Sequence, residues 1–254
     1  MPLRIEEHGD IAIAHLDRPP VNALDRELLQ AIGDGFKELE KSDAKAVVLT
    51  GEGSSFCAGA DLFAVIEGST EYIEGTVPAL TDAFRSLFEF PRPVVAAVNG
   101  HAIAGGAVLT CECDYRIMAA GSGKIGISEL KVGVPFPTYA IEIMRFAVAP
   151  HHFQELVYLA RAYSPDDAVT MGMIDEVVEP EELMGRAIEV AERLARIPAA
   201  TFEAMKTIIR QPALDRIARY GEEHDAKARK GWASDEVQES IKDFLVTTFG
   251  TSER

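Results

Sequence analysis

The run Val94-Val95-Ala96-Ala97-Val98-Asn99-Gly100-His101-Ala102-Ile103-Ala104-Gly105-Gly106 carries the clearest chemical signal in the chain. A β-branched apolar stretch breaks at a Gly-bearing turn and passes directly into a second apolar segment. This is the pattern of a buried strand feeding the first turn of a buried helix. The first amides of such a helix have no partner within it and carry a partial positive charge, so they can hold an anion or a polarised carbonyl oxygen. The chemistry indicated is stabilisation of an oxyanion. A second loop adds to it. Strand-like Ala46-Val47-Val48-Leu49-Thr50 leads into Gly51-Glu52-Gly53-Ser54-Ser55-Phe56-Cys57-Ala58-Gly59-Ala60-Asp61-Leu62, whose small residues let a ligand lie against the backbone. Small-residue turns after strands are common, so neither loop is decisive by itself. Together they offer donors from two directions.

Such loops need a scaffold of strands. Helical spacing over residues 25–41, with Leu28, Leu29, Ile32, Phe36 and Leu39 apolar and Asp25 placed to cap, precedes the strand at 46–50. A helix at 77–90, a strand at 94–98, a helix at 105–113 and a strand at 115–118 follow. That alternation predicts an α/β fold with parallel strands and right-handed crossovers. From Pro150 the pattern turns helical. Ser164-Pro165-Asp166-Asp167 reads as an N-cap with proline in the first turn, and a short strand at 174–178 comes next. Helices are expected over 180–196, 199–210, 215–230 and 235–244.

At 254 residues the chain can bury an ample core. A formal net charge of −16 disfavours nucleic acid or an anionic membrane surface as partner, because neutralising phosphates takes clustered Lys and Arg. Cys57, Cys111 and Cys113 form neither a disulfide framework nor a metal motif and read as small buried packing residues. His151-His152 lacks a matching ligand set, so no metal site is expected. There is no basic-then-apolar leader and no apolar run of bilayer length; the expectation is a soluble cytoplasmic protein.

The two loops lie among further segments that resemble the crotonase superfamily, the enoyl-CoA hydratases and isomerases. The likeness runs through residues 11–19 with Val21-Asn22-Ala23-Leu24, then 56–62, 99–109, 113–117, 126–134 and 168–178, in the family's order and over nearly the whole chain. It implies a crotonase (ClpP-like) α/β fold, a spiral of ββα units. Residues 1–196 would form the crotonase core with an acyl-CoA site, and 197–254 a C-terminal helical trimerisation region. The expected assembly is a homotrimer or a hexamer, with Ile208, Ile209, Trp232 and Phe244 among the apolar contacts. No separate cofactor is implied; coenzyme A enters as part of the thioester substrate.

By the same resemblance the oxyanion donors are the amides of Ala60, directly after Gly59, and Gly105. A thioester oxygen gains charge as its enolate forms, and preorganised donors in a dry pocket lower that barrier. The adenine and pantetheine of the ligand would lie along Ala23 and along Ala58, Gly59, Ala60, Asp61 and Leu62. Arg18, Lys227 and Lys230 are candidate phosphate partners, each otherwise a solvated surface cation. Residues 63–78 are expected to form part of the acyl pocket or a mobile rim.

The acids decide the reaction. In the family's hydratases one glutamate stands three residues after the oxyanion glycine and a second lies in the later Gly-x-x-Glu segment. Here Val108 occupies the first place and Glu129 the second. The following Val132-Gly133-Val134-Pro135-Phe136 resembles the single-glutamate Δ3,Δ2-enoyl-CoA isomerases. One carboxylate can serve as base and then as acid in a double-bond shift. Burial between Ile127, Leu130 and Pro135 should raise its pKa toward the useful range. His101 is expected in a wall or supporting role, and Asp61 and Asp114 as loop braces. Two other readings stay open: hydration or another lyase or hydrolase outcome on the same oxyanion site, and a catalytically silent acyl-CoA-binding subunit.

Overall fold

The computed structural model describes residues 2–251, so residues 252–254 of the expected C-terminal region lie outside the described residues. Strands β1 (Leu3–His8) and β2 (Ile11–Leu16) form an antiparallel pair. Helix α1 (Arg26–Leu39) starts at its expected cap, where the Asp25 carboxylate accepts the Leu28 amide at 2.9 Å. Next come β3 (Ala46–Gly51), β4 (Ser55–Cys57), α2 (Leu62–Glu67) and α3 (Thr70–Phe88). A second pass supplies β5 (Val94–Val98), β6 (His101–Ile103) and α4 (Gly105–Glu112). A third supplies β7 (Tyr115–Ala119), β8 (Ile125–Gly126), α5 (Glu129–Val132), α6 (Thr138–Ala147) and α7 (Phe153–Leu159). The chain closes with β9 (Ala162–Tyr163), α8 (Pro165–Met171), β10 (Glu176–Val178), a 3-10 turn at Pro180–Glu182, α9 (Leu183–Ala195), α10 (Ala199–Trp232) and α11 (Asp235–Phe249).

Each pass gives its first strand to one sheet and its second to another. The first sheet runs β1-β2-β3-β5-β7-β10 and the second β4-β6-β8-β9. This is the spiral of ββα units. In the larger sheet β2 through β10 are parallel, with Val48 opposite Val95 and Ala97 opposite Ile117. β3 and β5 are buried at every position, as a parallel sheet covered on both faces requires. One face packs into the main core with α1, α3, α4 and α6; the other is covered by α9 through Leu183, Ala187, Val190 and Ala191. Helix α4 is buried along its whole length, as its apolar first turns require, and it carries Thr110 and Glu112 into the core at its end.

Two boundaries differ most from the sequence reading, and α11 also runs on to Phe249 rather than ending at 244. Helix α3 begins at Thr70 rather than 77: the Ser69 hydroxyl accepts the Tyr72 amide as a cap, and Pro78 sits inside the helix. The two helices expected at 199–210 and 215–230 are the single α10, continuous through Pro212. Lys206, Arg210, Ala213, Ile217 and Gly221 lie buried along it, and that packing outweighs a backbone defect of about 3 kcal/mol.

A third apolar cluster stands apart from the main core. Val65, Val77, Val132, Val134, Ala228, Trp232, Ile241 and Leu245 bring together α2, the start of α3, α5 and the ends of α10 and α11. The tail thus folds back on its own chain. Trp232 is buried within it and Phe244 packs against the same cluster, so neither is a free contact for a neighbour. Ile208 and Ile209 remain 65% and 54% exposed.

Candidate active site

The first loop is stitched to the segment before α1. Ala58 donates to the Val21 carbonyl, Leu24 to that of Gly59, and Asp61 to that of Leu24. Leu24 and Ala60 are therefore partners in a parallel bridge, in which residue 60 turns its own amide away from residue 24. Gly59 adopts φ +83°, and its amide meets the buried Cys57 sulfur at 3.5 Å. The second loop turns at Ala104, which holds the unusual backbone φ 53°, ψ −120° and is anchored through its amide on the Gly126 carbonyl at 2.8 Å. The Ala104 carbonyl receives the amides of Ala107 and Val108, which leaves those of Gly105 and Gly106 ahead of the helical ladder. Neither the Ala60 nor the Gly105 amide donates to another backbone group among the described residues.

The two loops touch. A Cβ on Gly59 would stand 2.6 Å from the Ala104 Cβ and 3.1 Å from the Gly105 nitrogen. Gly106 packs as tightly behind them, where a Cβ would stand 2.1 Å from the Cys57 carbonyl oxygen. Glycine at these places sets how close the two bare amides come.

Beside them opens an apolar cavity of about 330 Å3. Val21, Ala23, Ala58, Ala60, Asp61 and Leu62 line one side, with Gly105 and Val108 at the start of α4. Leu80 and Phe84 of α3 and Ala140 of α6 form another wall. Glu129 faces the same space from α5. Its residue is 8% exposed and one carboxylate oxygen accepts the Ser128 amide at 2.8 Å. Burial pushes the Glu129 pKa up to about 8, against the pull of backbone hydrogen bonds. A carboxyl so poised gives and takes a proton near neutrality. Of the three neighbours expected to bury it, Ile127 is buried and Pro135 lines the cavity, whereas Leu130 is 51% exposed and turns outward.

The structure brings together Ala23, Ala58, Ala60, Asp61, Leu62, Gly105 and Glu129 around one cavity. Gly59 lies just behind the lining, against Ala104 and Gly105. Asp61 is a brace as well, its carboxylate accepting the Ala64 amide at the start of α2. Asp114 braces β5 by accepting the Val94 amide. His101 is exposed and its Nδ1 accepts the Lys124 amide, so it supports a turn and forms no wall. Arg18 is engaged by Asp25 and Glu27, and Lys227 by Glu223. His151 and His152 lie ring beside ring with centroids 4.0 Å apart.

Sequence reasoning missed the cover of the cavity. Phe244, Leu245, Thr248 and Phe249 of α11 line it, and the Phe249 ring lies 5.8 Å from that of Phe63. Trp232 joins them, its indole N–H held by the Pro135 carbonyl at 2.9 Å. The apolar spacing of 235–249 was the available signal, and it does not say whether a helix covers its own chain or a neighbour.

The comparisons with known proteins agree with this geometry. The family model described as enoyl-CoA hydratase/isomerase matches residues 6–248. The chain is 34% identical to the short-chain-enoyl-CoA hydratase of Clostridium acetobutylicum over 195 residues, covering 75% of this chain and 74% of that one. It is 30% identical over 213 residues to the carnitinyl-CoA dehydratase of Salmonella enteritidis, covering 82% and 80%. Among solved structures, a probable enoyl-CoA hydratase of Mycobacterium tuberculosis superposes with a TM-score of 0.83 at 31% identity, over 89% of this chain and 95% of that one. Human mitochondrial Δ3-Δ2-enoyl-CoA isomerase shares the fold with a TM-score of 0.92 at 24% identity, over 97% and 98%. With a family match spanning both loops, the Glu129 segment and the covering helix, the chain is a member of the enoyl-CoA hydratase/isomerase family, with the crotonase fold.

Proposed function

We propose that this enzyme is a Δ3,Δ2-enoyl-CoA isomerase that shuttles one proton through Glu129. The observation that carries the reading is the pairing of a buried, proton-poised carboxyl at Glu129 with fully buried Val108 at the other acid position of the family's hydratases. Glu129 takes a proton from C2 of a 3-enoyl thioester; the C–H pair becomes a C1–C2 double bond and charge moves to the thioester oxygen. The Ala60 and Gly105 amides hold that oxygen. As the carbonyl re-forms, the double bond shifts to C2–C3 and Glu129 returns the proton to C4. The reaction consumes no co-reactant, and coenzyme A takes part only as a piece of the thioester, along Ala23 and residues 58–62.

Hydration is the second reading, favoured by the relative at 34% identity that is named a short-chain-enoyl-CoA hydratase. Turnover of matched 3-enoyl-CoA and 2-enoyl-CoA substrates separates the two. The proposal expects faster isomerisation than hydration, and a small gain of hydration in Val108→Glu. Efficient hydration by the wild type overturns it. A silent acyl-CoA-binding subunit would bind both thioesters and turn over neither.

The proposal extends to a homotrimer or hexamer built on the exposed apolar face of α10, with Met205, Ile208 and Ile209 at 53%, 65% and 54% exposure. It also includes a cytoplasmic location, supported by the free thiols of Cys57, Cys111 and Cys113. No helix among the described residues is long and apolar enough to cross a membrane.

A further inference from the structure

Helix α4 presents the bare amides of Gly105 and Gly106 at one end, and α3 supplies the cavity wall through Leu80 and Phe84. Both helices end on one side chain from the tail. The Arg210 guanidinium of α10 donates through Nη1 to the Phe88 carbonyl, the last residue of α3. Through Nη2 it donates to the Glu112 carbonyl, the last residue of α4, at 2.5 Å. The same Nη2 reaches the Asp114 carboxylate at 2.8 Å, and the guanidinium carbon lies 4.4 Å from the Phe88 ring centroid. Arg210 is 4% exposed. Asp114 in turn accepts the Val94 amide of β5 and the Lys206 ammonium of α10, at 2.8 and 2.7 Å.

A buried charge with such partners is more than a surface staple. Carbonyls at a helix C-terminus lack intrahelical donors, and a cation there complements the helix dipole. The planar fork lets one residue satisfy two helix ends at fixed separation, which an ammonium on a flexible stem does not reproduce. At 1.5 Å per residue α4 is only about 12 Å long, so a tilt at Glu112 is felt at Gly105.

We propose that Arg210 is a positioning residue for the reaction: by clamping the C-termini of α3 and α4 together it fixes the acyl wall relative to the oxyanion amides. The inference rests on the reading that these amides hold a thioester oxygen. Displacement of such donors by about 1 Å costs on the order of a hundredfold in rate. Substrate contact is not involved, so affinity should change little.

Arg210→Lys is the informative variant, since it keeps the charge beside Asp114 and loses the fork. The expected result is a folded protein whose KM stays within about threefold while kcat falls on the order of tenfold to a hundredfold. Hexanoyl-CoA, a saturated and unreactive thioester, supplies a readout without turnover. Its carbonyl stretch should move to lower frequency on binding wild type and move less on binding Arg210→Lys. Arg210→Gly should recover part of both signals on addition of guanidinium, which a merely looser fold would not do. Wild-type kcat and a full carbonyl shift in Arg210→Lys overturn the clamp. Failure of wild type to bind hexanoyl-CoA overturns the acyl-CoA reading itself, and the clamp with it.

Discussion

Gly59 and Gly105 meet backbone to backbone, the space for a Cβ on Gly59 being filled by the Ala104 side chain, the Ile103 carbonyl oxygen and the Gly105 nitrogen. Two strand-to-helix loops from different turns of the spiral thereby become one surface. The distance between their free amides is set by the absence of a side chain. Replacing each glycine should fail in a different way.

Gly59→Ala places a Cβ 2.8 Å from backbone oxygen at φ +83°, so both the clash and the conformation are unfavourable. We expect loss of stability of roughly 1–3 kcal/mol and loss of activity together. Gly105→Ala meets only the movable end of Leu24 at 2.7 Å. It should leave the protein folded and lower kcat far more than it raises KM, and the bulkier Gly105→Val more so. Unfolding curves and steady-state kinetics on both positions check this; equal losses of binding and turnover at Gly105 would mark it as a packing glycine.

On the proposed mechanism Glu129 sets the pH dependence. A base must be ionised to act, so kcat/KM should rise with pH through an inflection near 8, the value to which burial pushes this carboxyl. Stability runs the other way. The folded pKa lies above the unfolded value of 4.5, so the native state holds a proton that the unfolded chain releases. Its contribution is full below pH 4.5 and declines between there and about 8. Glu129→Gln should abolish isomerisation by on the order of a thousandfold and flatten that decline, giving higher stability than wild type at pH 8. Isomerisation that survives the substitution sinks the single-glutamate mechanism.

A second acid is buried without such a use. Both carboxyl oxygens of Glu112 lack a hydrogen-bond partner, and burial holds its pKa well above the carboxylate range despite Arg210 and Lys206 nearby. An unsatisfied polar group costs about 1–3 kcal/mol inside a protein. Glu112→Met should therefore stabilise by about that amount, raising Tm, with a larger gain at pH 9 than at pH 6. Denaturant unfolding at both values is the check, and a destabilised variant at pH 9 contradicts the account.

The oligomer prediction narrows to α10. Wild type should sediment as a trimer or hexamer at micromolar concentration, and Ile208→Asp should shift it toward smaller species without unfolding it. Wild type sedimenting as a monomer ends that proposal.

Much of this was legible in the residues. Asp25 and Ser164 cap their helices as read, and Val94–Val98 has the bounds that its apolar run suggests. Loop identities pointed to the cavity because glycine and small residues are demanded locally, by φ and by contact. The early start of α3 and the continuity of α10 were not legible, since Pro78 and Pro212 lie inside them and local breaker strength says nothing of the packing that overrides it. Trp232 and Phe244 were apolar for a reason that spacing alone leaves open. His101 sits beside the oxyanion turn in sequence but points to Lys124, a matter of strand register invisible in the chain.

The cavity lies along the seam between the main core and the separate cluster of Val65, Val77, Val132, Trp232, Ile241 and Leu245. Units that bury their apolar side chains among themselves open as units, so amide hydrogens of α2, α5 and α11 should exchange together and sooner than those of β3 and β5. A thioester filling the seam adds contacts to both sides at once and binds only the closed arrangement. Its affinity is therefore linked to the exchange rates of α2 and α11, helices that carry no reacting group, and protection in α11 should climb with ligand concentration while β5 barely changes.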